Sequence, residues 1–435
     1  MARNYLIQLS SYFIYLLPLF LLTGPFIPDL IISIVGIIFI YLTFINKEWF
    51  YYNNIFTSLF SLFYFYILIR SLFSNDILLS LESSLFYFRF GIFALSIWFL
   101  INNNNNFIRR FSQLLIIVFI FCLIDGTYQY FFSSNIIGII NDRVRMNLPF
   151  TDELILGGYL ARMFPLLLGL VIFNYELNKS FIYIAAILLI ITDVLIYVTG
   201  ERSAIFLLTC STVYIILFIN KYKLLRILTF ILSLLLILII TAFDKDIRHR
   251  NIDFTIEQMS TPDKQISSEI IEDNIINNNI SDNKEDEFIY FSKEHNAYIR
   301  TSINMFKDNI LFGQGTKLFR KNCQDPKYAY NLSSCSTHPH HTYFQLLGET
   351  GLIGISLFLS FFFIILYFTI RHMVIKIRYN QNYLSDYQVC LIGCFIIIFN
   401  PFTPSLNFFN NWISIIHFLP IGFYLHSVYG KKIEK

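Results

Sequence analysis

Long apolar stretches separated by short polar connections make up most of this chain. Twelve of them approach the length of about 20 apolar residues that a helix needs to cross a hydrocarbon core. They lie at roughly 5–22, 26–45, 55–73, 84–101, 111–132, 154–173, 181–199, 203–219, 226–243, 352–370, 388–403 and 411–428. Several are continuously apolar, and the alternating pattern of a transmembrane barrel strand is absent. The pattern therefore predicts an all-α integral membrane protein with about 12 transmembrane helices.

The positions of Lys and Arg predict how these helices are oriented. If the N-terminus is cytoplasmic, most Lys and Arg residues outside the long polar segment fall in inner connections, whereas the short outer loops hold only Arg143, Arg145 and Arg202. The positive-inside rule then places both termini in the cytoplasm. We expect helices 1–9 in residues 1–243, an outer segment with short helices in residues 244–350, and helices 10–12 in residues 351–435.

Composition agrees with a membrane class and excludes some partners. Hydrophobic residues make up 56% of the 435 positions and charged residues 14%, which excludes a soluble globular domain. The net charge is only +3, and no basic cluster indicates a nucleic-acid partner. Within the outer segment, the acidic and Asn-rich stretch from Asp263 to Glu287 is typical of a mobile excursion. Ile299, Ile303, Phe306 and Ile310 then recur at helical spacing and predict a short helix packed through that face.

Two cysteines of the outer segment precede a run of histidines. Cys323 and Cys335 are twelve positions apart, and in an oxidising compartment a disulfide between them would close the loop that presents the histidines. Zinc bound by the two thiolates and nearby imidazoles is the competing interpretation, although the spacing is unlike familiar zinc patterns. Spacing alone leaves both interpretations open.

Histidines and arginines at the outer membrane edge are the main candidates for chemistry. Residues 337–345 read T-H-P-H-H-T-Y-F-Q at the start of an apolar stretch, and an imidazole cluster there indicates proton transfer at the bilayer surface. Arg202 lies in a tight turn between two predicted spans, where a guanidinium is costly unless it meets an anion such as phosphate. A salt bridge of Arg202 with Glu201 or Asp193 is the alternative.

Three motifs together resemble the O-antigen ligase and polymerase family. They are the G-E-R-S-A turn, an arginine some dozen residues before a G-x-G, and H-x-H-H-x-x-x-Q-x-x-x-E-x-G-x-x-G entering the next helix. The resemblance covers about Arg143 to Gly354 and implies a GT-C-type fold. It also implies a multi-spanning glycosyltransferase of the bacterial inner membrane, with its active site on the periplasmic face.

The resemblance implies roles for individual residues. His340 corresponds to the family histidine, whereas His341 stands where the family has Asn. Arg202 and Arg300 correspond to the arginines of the helix-to-helix turn and of the segment before the G-x-G. The implied catalytic residues are therefore His340, Arg202 and Arg300, and the implied substrate-binding residues are Arg143, Arg145, His338, His341 and Glu349.

The implied donor is an undecaprenyl-diphosphate-linked glycan, with membrane lipids around its lipid tail, and the implied acceptor is a hydroxyl of the lipid A core or of a growing glycan. His340, with an unperturbed imidazole pKa near neutrality, would take the acceptor proton while the arginines stabilise the diphosphate leaving group. Direct displacement would invert the anomeric carbon. We expect no cofactor and no metal, and interpret Asp244-Lys245-Asp246 as a solvated helix end rather than a metal site.

Other functions compete with an O-antigen ligase. A polymerase would share the donor and the chemistry, but the Arg and Gly ten residues apart that are often described for polymerases are matched only inexactly. An anionic-solute transporter or flippase is a different class, and its candidate residues within the spans are Arg162 and Asp193. No internal repeat supports it. A structural scaffold would leave the histidine run without an explanation.

Overall fold

The computed structural model describes residues 2–141, 143–175, 179–260 and 291–430. Across these ranges the chain is helical, apart from an isolated β-bridge between Ser134 and Ile140. Its α-helices are α1 (Ala2–Phe20), α2 (Phe26–Ile45), α3 (Ile55–Leu72), α4 (Ile77–Ser84), α5 (Phe88–Asn103), α6 (Phe107–Phe132), α7 (Leu156–Asn174), α8 (Lys179–Val198), α9 (Arg202–Phe218), α10 (Lys223–Phe243), α11 (Lys245–Arg248), α12 (Phe254–Ser260), α13 (Lys293–Asp308), α14 (Phe319–Asn322), α15 (Thr342–Tyr379), α16 (Asp386–Ile398) and α17 (Asn411–Tyr429). Short helical turns lie at Leu21–Thr23, Trp49–Tyr52 and His249–Asp253. The predicted mobile excursion at 263–287 lies outside the described residues.

The helices confirm a polytopic membrane protein. In the described part of the chain, nine helices are long and apolar enough to cross a membrane, and three shorter apolar helices lie within α8, α9 and α16. Each of the twelve predicted spans therefore coincides with a helix. α17 packs on α5, and α16 packs on α7 and α9, so the last two spans lie inside the bundle.

Polar contacts at the helix ends sort into two groups. Arg3 donates to the side chains of Glu48 and Asn103 at 2.6 and 2.9 Å, which joins three segments that the sequence predicts to be inner. The indole N–H of Trp412 donates to the carbonyl of Leu21 at 2.8 Å, which joins two segments predicted to be outer. The alternation of the spans is thus consistent with these contacts. Which end faces the cytoplasm stays a prediction, and we keep "inner" and "outer" as names for the two ends.

α15 begins ten residues before the predicted span because it contains a kink. Gly351 has φ 63° and ψ −166°, and a Cβ there would lie 2.5 Å from the backbone of Leu311, so both conformation and space require glycine. The N–H groups of Leu352 and Ile353 donate to the carbonyls of Ile310 and Leu311 at 2.9 and 3.2 Å. The membrane-spanning part of α15 is therefore bonded to the loop that follows α13.

The short helix α13 is present where the sequence predicts it, but its buried face differs. Ser302 lies 1% exposed and its hydroxyl donates to the carbonyl of Phe344 at 2.6 Å, so small and polar residues face α15. Ile310, which the periodicity assigned to the packed face, is 49% exposed. Close approach of two helices near Gly348 accounts for the difference, because a Cβ at Gly348 would lie 2.5 Å from the Ser302 hydroxyl.

Asp193 is paired inside the bundle. Nη1 and Nη2 of Arg226 donate to its two carboxylate oxygens at 2.7 and 2.9 Å, and Ser233 donates to the same carboxylate at 3.1 Å. Both charged side chains are 3% exposed. The predicted alternative of a pair between Asp193 and Arg202 is therefore wrong, and the pair instead joins α8 to α10.

Asp193→Ala is expected to lower the free energy of unfolding by about 3–5 kcal/mol, because it leaves a buried guanidinium without its counter-charge. Thermal unfolding of the purified protein in one detergent measures the loss. The double variant Asp193→Ala/Arg226→Leu removes both charges and should recover most of the stability. Equal losses in the single and double variants would contradict this account.

Candidate functional site

The histidine run forms a turn over the start of α15, held by the loop between α16 and α17. The carbonyl of His340 accepts the N–H of Ser405 at 2.8 Å. Nε2 of His338 donates to the carbonyl of Ser405 at 3.4 Å, and Nε2 of His341 donates to the carbonyl of Pro401 at 3.1 Å. His338 and His341 are 6% and 4% exposed, whereas His340 is half-buried. His340 is thus the most accessible imidazole of the three.

His340 also brings the turn into contact with α13. Its backbone is left-handed, with φ 51°, a conformation that few residues other than glycine adopt. Its ring centroid lies 4.0 Å from that of His338 and 5.6 Å from those of His295 and Tyr298. Its Nε2 lies 3.1 Å from the hydroxyl of Ser336. The sequence did not single out His295, because nothing in its local pattern distinguishes it.

Burial keeps this imidazole cluster neutral. It lowers the pKa of His338 to about 3 and that of His295 to about 4, with the charge of the neighbouring His340 as the next cause. Burial likewise lowers the pKa of His340 and of His341. The expectation of an unperturbed pKa at His340 is therefore corrected. A neutral imidazole at pH 7 can accept a proton, which a general base must do.

Arg202 is held by neutral groups of α12. Its Nη1 donates to the hydroxyl of Thr255 at 2.7 Å and its Nη2 to the amide oxygen of Gln258 at 2.9 Å, and the guanidinium lies 5.6 Å above the ring of Phe254. These contacts position the guanidinium of Arg202 without neutralising its charge. The guanidinium of Arg250 lies over the same ring at 5.8 Å, so two cations share one aromatic side chain.

Glu201 lies among several arginines. Its carboxylate accepts the N–H of Gly158 at 3.0 Å. Burial raises the pKa of Glu201 to about 7, and this rise is opposed by that N–H and by the positive charges of Arg162 and Arg145. The adjacent turn contacts Arg250, because a Cβ at Gly200 would lie 3.1 Å from its Cγ. We define the arginine group as Arg145, Arg162, Arg202 and Arg250.

Arg162 and Arg145 act on the carboxylate of Glu201, Arg202 is the next residue of the turn, and Arg250 contacts the turn at Gly200. A group of guanidinium side chains of this kind suits the oxygens of a polyanion such as a diphosphate. The charge of Arg202 also acts on His295, so Arg202 lies near the histidine cluster. The sequence singled out Arg145 and Arg202 for this site but not Arg162 or Arg250, since Arg162 reads as a residue within a span and Arg250 follows no turn motif.

Two cavities meet below the histidine turn. A polar cavity is lined by Arg162, Thr342, Asn400, Ser405 and His417, together with apolar residues of α9, α15, α16 and α17. A larger groove runs along α3, α15 and α17, and apolar side chains line nearly all of it. The cavity and the groove share Phe358, Ile398, Phe408 and His417. The outer end of an apolar groove thus opens beside the charged site.

Comparison with known proteins agrees with this arrangement. Residues 184–359 match the family described as O-antigen ligase. The chain carries an O-antigen ligase domain. No curated protein matches the chain. The family supports a glycosyltransferase-like function in O-antigen processing, on polysaccharide and lipid-linked substrates, and it confirms the resemblance drawn from the motifs.

The O-antigen ligase domain runs from α8 into the membrane-spanning part of α15. It contains Arg202, Arg250 and Arg300 and the whole histidine turn. Arg300 lies on α13, the helix that also carries His295. Arg145 and Arg162 precede the matched residues, so the site described above is completed by a part of the chain outside them.

Arg143 and Asp244 form a contact at the edge of the O-antigen ligase domain. Arg143 makes an ion pair with the carboxylate of Asp244, which also accepts the hydroxyl of Tyr130 at 2.8 Å. Asp244 is the N-cap of α11 and accepts the N–H groups of Asp246 and Ile247. Asp244 therefore lies at a helix end as predicted, but its side chain is only 10% exposed and so is not solvated. The contacts of Arg143 favour a structural role over the predicted contact with substrate.

Glu349 supports the histidine turn from below. It is 1% exposed, and its carboxylate accepts the N–H of Phe319 and the amide of Gln345, both at 3.2 Å. These bonds tie α14 to α15 and favour a structural role for Glu349 as well. The guanidinium of Arg320 acts electrostatically on both Glu349 and His338, and sequence reasoning did not identify it.

A disulfide joins Cys323 to Cys335, with their Cα atoms 5.1 Å apart. Cys323 packs against Met305, Phe319 and Tyr328 in a small core of its own. The two sulfur atoms are bonded to each other, so the zinc interpretation loses its thiolate ligands. Of the two predicted alternatives, the structure therefore contains the disulfide, and the loop it closes leads directly into the histidine turn.

Cys323→Ser is expected to lower the free energy of unfolding by about 2–4 kcal/mol, as for other disulfides that close a short loop. Thermal unfolding in detergent measures the shift. The matched control is Cys210→Ser, a free cysteine in α9, which should change stability little. A similar shift in both variants would argue against a stabilising disulfide.

Proposed function

We propose that this protein is an inverting, metal-independent glycosyltransferase that moves a glycan from a polyprenyl-diphosphate donor to an acceptor hydroxyl. The acceptor in this proposal is the lipid A core, as for an O-antigen ligase. The observation that carries it is the juxtaposition of a neutral imidazole cluster, the arginine group and the outer end of an apolar groove. Each suits one part of the reaction: the acceptor proton, the diphosphate and the polyprenyl tail.

In the proposed reaction, the acceptor oxygen forms a bond to the anomeric carbon while the bond from that carbon to the phosphate oxygen breaks. His340 accepts the proton of the attacking hydroxyl, which leaves the glycan joined to the acceptor and releases polyprenyl diphosphate. The arginine group and Arg300 stabilise the negative charge that builds on the leaving diphosphate. His338 and His295 stay neutral beside His340 and so add no charge to oppose its protonation.

We place the protein in the bacterial inner membrane with both termini cytoplasmic and the site facing the periplasm. The bias of Lys and Arg towards the inner connections supports this orientation. The disulfide in the outer segment agrees with an oxidising compartment. The transporter interpretation loses one of its two candidate residues, because Asp193 is paired with Arg226.

The pH dependence of transfer tests the role of His340. Because burial lowers its pKa below 6.5, we expect kcat/KM to stay constant from about pH 8 to pH 6.5 and to fall only at more acidic pH, as the base becomes protonated. Protonation of these imidazoles also opposes folding, so their contribution to stability is complete above pH 6.5 and declines below it. A kcat/KM that already falls when the pH is lowered from 8 to 6.5 would contradict this assignment.

The envelope glycolipids of a deletion strain distinguish ligase from polymerase. A lipid A core without any attached chain, with lipid-linked polymer accumulating, supports the ligase. A core that carries one repeat unit supports the polymerase instead. Unchanged glycolipids would overturn both.

A further inference from the structure

Arg162 has hydrogen-bonding capacity that the described part of the protein leaves unused. Its Nη1 donates to the carbonyl of Gly158 at 2.9 Å, and its Nε is buried without a hydrogen-bond partner among the described residues. A guanidinium offers five N–H donors. Glu201 attracts Arg162 electrostatically, but their charged atoms form no direct ion pair within the described ranges. Donors are therefore available for a further ligand.

The surroundings of Arg162 indicate where such a ligand would lie. Arg162 and His417 line the polar cavity, whose walls also include Thr342 and Ser405 below the histidine turn. His417 lines the apolar groove as well. Arg162 thus stands at the junction where a polar space under the histidines becomes a space for a hydrocarbon chain.

We propose that Arg162, with His417 beside it, binds the lipid-proximal phosphate of the polyprenyl-diphosphate donor. This inference rests on the proposed function and assigns a residue to one end of the substrate. A chain lying in the groove must leave it at the junction, so the phosphate attached to that chain meets Arg162 first. The sugar-proximal phosphate then extends towards Arg202 and the acceptor hydroxyl towards His340. A fork of N–H donors suits the oxygens of a phosphate.

The division of the two phosphates makes a specific prediction for binding. Undecaprenyl phosphate has only the lipid-proximal phosphate, so its binding should depend on Arg162 and not on Arg202. Undecaprenyl diphosphate should depend on both residues. A purely structural role for Arg162, as a counter-charge to Glu201, predicts no such difference between the two lipids.

Lipid binding by the purified full-length protein in detergent, measured by titration, tests this inference. Arg162→Gln should weaken binding of both lipids by about tenfold to a hundredfold, whereas Arg202→Gln should weaken only the diphosphate. Arg371→Gln, an exposed arginine near the inner end of α15, is the matched control and should bind as the unmodified protein does. Arg162→Lys keeps the charge but loses the planar guanidinium, so its affinity for both lipids should lie between those of the unmodified protein and Arg162→Gln. It provides a second variant if Arg162→Gln does not fold.

The outcomes separate the inference from the proposed function. Unmodified protein that binds neither lipid would overturn the proposed function. Unmodified protein that binds both lipids, together with Arg162→Gln and Arg162→Lys that bind undecaprenyl phosphate equally well, would overturn only the assignment of Arg162. Weakened binding of the diphosphate but not of the monophosphate would also overturn it.

Discussion

His340→Asn is expected to lower the rate of glycan transfer by about 10²–10⁴-fold, the usual contribution of a general base. Asparagine is chosen because it adopts the left-handed backbone more readily than most residues, and His340 has φ 51°. The substitution therefore keeps the turn and removes the proton acceptor. Transfer from a polyprenyl-diphosphate glycan to the lipid A core by purified protein, with donor in excess, measures the effect.

The control for His340 is another histidine of the same protein. His426 lies near the inner end of α17, and its replacement by Asn should leave transfer unchanged. Full activity of His340→Asn would remove the general-base role. The residual rate of that variant should also lose the acidic decline, because the group that titrates is gone.

Arg202→Ala is expected to lower kcat by about 10²–10³-fold, the loss found when one preorganised donor to a developing negative charge is removed. The fold should survive because Thr255 and Gln258 are neutral. Each loses one hydrogen bond to Arg202 and can bond to water instead. Arg202→Lys retains the charge but loses the planar guanidinium with its paired N–H donors. Its kcat should therefore lie between those of the unmodified protein and Arg202→Ala. Steady-state kinetics with the donor varied measure the change.

Arg248 provides the matched control for Arg202. It lies on α11 close to the arginine group, and its side chain is 59% exposed. Arg248→Ala should leave kcat unchanged. If both variants lowered kcat alike, a general loss of positive charge at this surface would explain the result better than a specific contact with the diphosphate.

The spans and the central histidine were predictable because their signals are local. An apolar stretch of the right length can be recognised as a span from its own residues. Arg202 can be recognised as a candidate because it lies in a tight turn between two such stretches. His295 and Arg250 carry no local signal of this kind, and the charge of Arg162 within a span pointed to a transporter instead. They reach the site only because α7, α13 and the segment after α10 fold towards one another.

Burial was the second property that the sequence did not disclose. The pKa of His340 was expected near its ordinary value, whereas packing against His338 and α13 lowers it. The same holds for Glu349, whose carboxylate reads as a substrate contact in a motif but bonds to the backbone of Phe319 in the folded chain. Both differences arise because a motif gives residue types and spacing without the neighbours that surround them.

The kink at Gly351 has a mechanical consequence. The first N–H groups after it bond to the loop that follows α13, so the lower part of α15 and that loop move as one lever. We expect tilting of the lower part, as a thicker or thinner bilayer demands, to shift α13 and hence Arg300 and His295 relative to His340. The proposed transfer would then depend on the thickness of the surrounding lipid.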